Sequence, residues 1–475
     1  MVGQISGISF PPPRIASANG ARVNQPAATP PQPSTRVTLS NASDELNAIY
    51  SISAQKLRTN TLNTGHSQLD VLMGANANQP ISGAFQGLGK ALLAQLKDNP
   101  SDFSAAVSST KNVDASGTDK ASAVALDIVT QSGVKVSVSL SRQQGGLVAE
   151  VTTTGGELTD KETDAIAGLA DAFQSTLDGM SGKTPTVNVD GLTQFNTTLL
   201  KSVDLNADVR ESGQSVQSLN FQSDLTQRAL SYKDANGSFQ LNTDLSHPEL
   251  LGTLGQQDQA LAAYDKQLSN AALRGYANQD MMSSFKSAFH ALNSHYGSNE
   301  IDNSHQIITV TETNKAQSYL SGLADFSASF QQTDVKSNPY KDDEKDSFAY
   351  SFSQSSSVID GVDGNRSKIT QNTKSHLQAS FHESLTAGTP LALSMLKSSQ
   401  NYTYHQINED SSTDTTLDFK KGLLATVGTS QTTHSLETVK TYNDALLVKE
   451  TKTPNDHQES HQLKLLSESI KVKTK

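Results

Sequence analysis

Hydrophobic spacing divides the chain into stretches of different period. Between 81 and 97, Phe85, Leu88, Leu92, Leu93 and Leu96 recur every three or four positions, the stripe of an amphipathic helix, and Asn99-Pro100 ends it. Leu46, Ile49 and Tyr50 behind Ser43 predict a shorter helix upstream. From about 121 the period falls to two. Val124, Leu126 and Ile128 alternate with other residues, then Val134, Val136, Val138 and Leu140, then 147–154. The turns at Ser132-Gly133 and Gln144-Gly145-Gly146 make this a three-stranded antiparallel meander. Gly155-Gly156 closes it, and Thr159 stands three residues before Glu162, the spacing of a capping box. The helix that follows turns Ile166, Leu169, Ala170, Phe173 and Leu177 inward, and Leu192, Phe195, Leu199 and Leu200 predict another near 190–203.

The order then recurs in outline. Strands near 215–232 and 238–245 are joined by Asn236-Gly237, a strong hairpin dipeptide. A helical stretch over roughly 256–295 carries Leu261, Tyr264, Leu268, Leu273, Phe285, Phe289 and Leu292. Tyr319, Leu320, Leu323, Phe326 and Phe330 predict a helix near 316–332. After Asn338-Pro339-Tyr340 the chain is polar and strand-like to about 453, with apolar runs at 348–352, 402–404, 417–419 and 446–448. Its Ser/Thr-rich faces imply a sheet wet on one side. Leu463, Leu465, Leu466 and Ile470 predict a short closing helix.

These elements predict an α+β fold, antiparallel sheets packed on helices, with a polar β-rich C-terminal region. Residues 1–43 carry Pro11, Pro12, Pro13, Pro26, Pro30, Pro31 and Pro33 and no apolar period, so they read as a disordered tail. The organisation is then a tail at 1–43, a core at 44–335, a β-rich region at 340–455, and a short helix with a basic tail at 456–475 (Lys464, Lys471, Lys473, Lys475).

Composition narrows the chemistry. The 475 residues include no Cys and no Trp, which rules out disulfides, thiolate nucleophiles and cysteine-bound metals. A net charge of −11 with no basic stripe argues against nucleic acid as partner. No apolar run reaches the roughly 20 residues of a membrane span. Met1 to Phe10 lacks a basic n-region, so no Sec signal peptide is expected there.

The motif fragments point to ordinary structure. Gly182-Lys183-Thr184 resembles the end of a phosphate loop, but Leu177 stands where its first glycine belongs. Gly87-Leu88-Gly89 opens a dinucleotide fingerprint, and Leu92 breaks it. His457 and His461 lack the glutamate of a zinc-protease helix, Gln458 standing in its place; His290 and His295, and His382 beside Glu383, read as packed or solvated. Asp360, Asp363 and Asn365 read as a turn rather than a calcium loop. Asp342, Asp343, Glu344 and Asp346, interleaved with Lys341 and Lys345, read as a solvated linker. No catalytic, cofactor-binding or metal-binding residue is assigned.

The run Gly156-Glu157-Leu158-Thr159, then Glu162, Ala165 and Ile166, resembles a module in a group of bacterial proteins of the domain-of-unknown-function class. In that group the motif is Gly-Glu-Leu-Thr-x-x-Glu-x-x-Ala-Ile, leading from a small antiparallel sheet into a helix. Arg36-Val37-Thr38-Leu39-Ser40 looks like their N-terminal segment and that of flagellar-type exported chains. The resemblance implies a fold and a bacterial origin and brings no catalytic residue.

The reading that follows is a non-enzymatic bacterial protein with an interaction or structural role and an unidentified protein partner. Its place is either the cytoplasm or outside, by a non-Sec route without a cleaved signal. The oligomeric state is left open. The alternative is a hydrolase or a polar-ligand (glycan) binder using carboxylates near Glu150, Glu157, Asp160 and Glu162, against which the missing Trp and scarce aromatics count.

Overall fold

The structure, a computed structural model, describes residues 67–98, 101–108, 122–143, 146–182, 184–211, 214–296, 316–361, 366–386 and 388–465. The expected tail at 1–43 and the helix after Ser43 lie outside them, as do residues 466–475. Fourteen strands form one sheet in the order β1-β4-β3-β2-β5, then β6 to β14 in sequence. Every pairing is antiparallel. The expected meander is β2 (Ser122–Thr130), β3 (Lys135–Gln143) and β4 (Gly146–Thr154), with β1 (Phe103–Ser108) added at its edge. Next come β5 (Leu200–Glu211), β6 (Gln214–Asp224), β7 (Gln227–Asp234), β8 (Gly237–Asp244) and β9 (Asp325–Gln332). The long strands are β10 (Ser347–Asp360), β11 (Arg366–Ser384), β12 (Tyr402–Lys420), β13 (Leu423–Asn443) and β14 (Leu446–Lys464). Because β9 pairs with β10, one continuous sheet crosses from the helix-bearing region into the polar C-terminal one.

The helices are α1 (Ser67–Asn76), α2 (Leu88–Asp98), α3 (Asp160–Ala167), α4 (Ala170–Ser181), α5 (Asp190–Thr193), α6 (Leu254–Arg274) and α7 (Gln279–Asn293). They share one core with a single sheet face. On that face Phe285 of α7 meets Phe239, Phe330 and Phe352, and Tyr264 of α6 meets Phe326 and Phe352. Burying each ring contributes about 2 kcal/mol. Arg228, in β7, lies 3% exposed beneath the end of α7. Its guanidinium donates to the carbonyls of Leu292 (3.0 Å), Ser294 (2.5 Å) and His295 (2.6 Å), and at longer range to Ala291 and Thr193. A cation there neutralises the negative end of the helix.

Besides the helical stretch over 256–295, which divides into α6 and α7, four expectations need correction. The helix near 190–203 shrinks to α5, because Val203, Leu205 and Ala207 alternate into the sheet as β5. The helix near 316–332 gives way to β9 from Asp325: Phe326, Ala328 and Phe330 also satisfy a period of two, and β8 and β10 provide ladders on both sides. The strand at 215–232 breaks at Leu225-Thr226, where Asp224 accepts from the Thr226 and Gln227 N–H groups. Residues 456–464 continue β14 along β13 where a helix was expected to start.

Candidate functional site

The carboxylates flanking the β4–α3 junction are the first place to look for chemistry. Gly155 (φ +88) turns the chain there, and a Cβ on it would stand 2.9 Å from the Gly133 carbonyl. Glu162 is buried at the first turn of α3. One oxygen accepts from the Thr159 N–H (2.9 Å) and hydroxyl (2.8 Å), the other from the Ser132 hydroxyl (2.6 Å). The Ser132 bond, followed by those from Thr159, pulls its pKa down to about 2. A carboxylate so satisfied caps a helix and has no proton to give. Glu157 and Asp160 face solvent, and Glu150 sits back along β4, half-buried. The four do not converge on one cleft.

Among the described residues, Asp204 in β5 is the one carboxylate pushed upward, to about 6, by burial and then by neighbouring Asp127 and Asp224, against a bond from Ser202. Asp127 stands directly opposite it on β2, a like-charge cross-strand pair, and Lys135 answers Asp127 at 3.3 Å. This pair lies on the sheet face away from the helices, in a row with Ser137 and Gln222.

A dense polar cluster forms where the sequence predicts a solvated linker. The segment 333–346 between β9 and β10 folds over the end of the long strands. Glu344 (3% exposed) accepts from the Tyr402 hydroxyl at 2.6 Å and from His382 Nε2 at 3.2 Å, with Lys341 Nζ 3.5 Å away. His382 Nδ1 donates to Asp346 at 2.6 Å, and its side chain is 1% exposed. Asn338 donates to Gln400 (2.8 Å) and Tyr402 (3.0 Å), and Lys341 lies 3.6 Å above the Tyr442 ring. Burial alone would raise the Glu344 pKa; bonds from His382, Tyr402 and Tyr442, with the Lys341 charge, instead bring it to about 2. Burial works to lower the His382 pKa, and Asp346 and Glu344 outweigh it and raise it. The imidazolium is thus held between two carboxylates and fully partnered. It latches the segment to the sheet. Hydrophobicity could not reveal this: the signal is the pairing of an acidic loop with His382, Tyr402 and Tyr442, brought together only by strand register.

The other fragments are structural. Gly89 is where a Cβ would strike Phe173 at 2.8 Å, which accounts for glycine at that helix contact. Gly182 follows α4 as its C-cap. His457 and His461 flank Glu459 along β14, and among the described residues no group of His, Asp or Glu is arranged to hold a metal. Asp363 and Asn365 lie outside the described residues. Two hollows of about 130 and 250 Å³ line the β7–β8 turn and the outer face of β8 to β11, both away from the latch.

What remains is a surface. Strands β12 and β13 run 19 and 21 residues, and all 19 residues of β14 are exposed. On one face a polar row crosses Asn206, Asn220, Ser231, Gln240, Ser329, Ser351, His376, Asp410, His434 and Asp456. His376–Asp410 and His434–Asp456 each close at 2.8 Å. Small apolar clusters pin the long strands at their two ends, one around Leu417, the other around Tyr402. Between them both faces are largely polar, which goes beyond the one wet face expected. No family model, curated protein or solved structure matches the chain. No helix among the described residues is long and apolar enough to cross a membrane.

Proposed function

We propose that this is a non-enzymatic bacterial protein of α+β class that works by interaction, presenting the β10–β14 sheet to a protein partner. The observation that carries the reading is β14: 19 residues, all exposed, with no other described strand along its outer edge. An open edge offers backbone donors and acceptors to an added strand. Pro454, which has no N–H, and the charges of Lys449, Lys452 and Glu459 blunt unlimited self-pairing along it. The hydrolase reading has less support, since Glu162 is committed to its cap and the carboxylates around it are scattered.

Photo-crosslinking residues placed at exposed Thr451 on β14 and exposed Asp258 on α6 test the reading in living bacteria. Adducts to one protein from position 451 and none from 258 are expected. Equal or absent labelling would overturn it. We further propose export without a cleaved signal, in line with the acid-free stretch before Asp44. Fractionation should find the full chain outside and a chain lacking residues 2–40 inside. Retention of both sinks the export reading.

A further inference from the structure

At the end of α6 the chain closes through Leu273-Arg274-Gly275-Tyr276-Ala277. The Ala277 N–H donates to the Ala272 carbonyl at 2.9 Å, the six-to-one bond of a Schellman motif, after the Gly275 N–H makes the last helical bond, to Ala271 at 2.9 Å. Such a close puts one residue in the left-handed region, and glycine is its usual occupant. Here that residue is Tyr276, at φ +60. Gly275 is needed one position earlier, where a Cβ would stand 2.6 Å from the Phe348 ring. Tyrosine in this conformation costs about 1 kcal/mol, yet its side chain does not fill the core: Tyr276 is 68% exposed. Backbone preference does not account for the choice of residue.

Its surroundings do. The Tyr276 ring stacks on Phe381 (centroids 5.3 Å, 18° between planes), and Phe381 stacks on His405 (4.8 Å, 2°). Glu383 and Glu437 flank His405 at 3.3 and 3.4 Å. Arg274 reaches out to Glu409 at 2.7 Å. The helical layer ends here against the uncovered face of β12 and β13, leaving a ledge. Its wall is an exposed aromatic ring, and its floor carries Glu437, Ser435 and, on β14, Thr453.

We propose that this ledge binds an extended, uncharged carbohydrate. A sugar ring has an apolar C–H face that lies against an aromatic ring and a rim of hydroxyls that donate to carboxylates and hydroxyls. Glu383 and Glu437, on a chain of net charge −11, disfavour anionic polymers, while Glu409 is paired with Arg274. The ledge meets β14 through the side chain of Thr453, whereas strand addition uses the backbone of its outer edge, so either reading stands if the other falls.

Affinity electrophoresis of the full chain through gels cast with soluble β-1,3-glucan, hydroxyethylcellulose, xylan or galactomannan tests the proposal, with alginate as the anionic control. At least one neutral polymer should retard the chain, and alginate should not. Tyr276→Phe should keep the retardation. Tyr276→Gly, which relaxes the backbone while removing the ring, should weaken binding by about tenfold or more with an unfolding midpoint no lower than the parent's. Tyr276→Asn, also tolerant of the left-handed region, repeats the comparison if glycine loosens the turn. Free migration in every neutral polymer, or unchanged retardation of both variants, overturns the proposal.

Discussion

One row of residues, followed across the sheet, passes through two different proteins. On the helix-bearing face it reads Leu126, Leu205, Phe221, Leu230, Leu241, Ala328, Phe352, and then Ser375, Ser411, Thr433, His457. The pairing geometry does not change at Phe352; only the side chains do. Apolar area buried under helices holds the sheet up to a boundary that runs through β11 (Leu377, Ala379, Phe381) and β12 (Ile407). Beyond it, backbone ladders, cross-strand polar pairs and the two end clusters carry the strands, each pair contributing a few tenths of a kcal/mol. The covered half therefore holds the stability, and the uncovered half is free to be a surface.

The comparison breaks most sharply at Arg228. Its guanidinium collects four carbonyls at the end of α7 and that of Thr193 in α5, and burial lowers its pKa to about 10, so it stays charged at neutral pH. Arg228→Met should destabilise the chain by about 3–5 kcal/mol, because those carbonyls lose their donor in a dry site. Urea titration of the covered half would measure it. A loss under 1 kcal/mol would mean water replaces the guanidinium without cost.

The latch comes next. Glu344→Gln should cost about 2 kcal/mol and raise amide exchange across 333–346, because a buried imidazolium loses one of its two carboxylates. Its pH dependence has two limbs. Glu344 titrates near 4.5 unfolded and about 2 folded, so its contribution is present above 4.5 and lost as pH falls toward 2. The raised His382 contributes below its unfolded 6.5 and loses that contribution as pH rises through its folded value. Protection of this segment, taken against the intrinsic exchange rate at each pH, should be greatest in mildly acidic solution. A flat profile would show that the latch holds by shape alone.

Asp204 gives a smaller effect of opposite sign. Held up to about 6 against 3.8 unfolded, it contributes stability below pH 4 that is lost as pH rises through 6. Asp204→Asn should therefore stabilise the chain at pH 7 by about 1–2 kcal/mol, partial exposure to solvent being allowed for, and give no gain at pH 4. Thermal melts at the two pH values separate this from a pH-independent packing change.

The meander, the capping box at Thr159 and Glu162, and the long C-terminal strands could be read from sequence because each rests on local period or local spacing. The errors arose where two periods fit the same residues. Phe326 and Phe330 suit a helix face and a strand face equally, and only β8 and β10 decide between them. The break between α6 and α7 had signals, Gly275 as C-cap and Asn278 as N-cap, that a continuous apolar stripe hid. The latch and the Tyr276 ledge were invisible for a different reason. Their members are joined by register across strands as far apart as 338 and 442, and no window along the chain contains them.

The smallest expected effect tests the uncovered half on its own terms. His434 and Asp456 tie β13 to the edge strand at 2.8 Å, but both are well over half exposed. Asp456→Asn should change global stability by less than about 0.5 kcal/mol, as exposed pairs do. Amides of β14 should nevertheless exchange faster, since no buried side chain holds that strand. Hydrogen exchange resolved along β13 and β14 would show it. If the global midpoint fell with the local protection, β14 would be part of the cooperative core, and the division of the sheet into a stabilising half and a presenting half would fail.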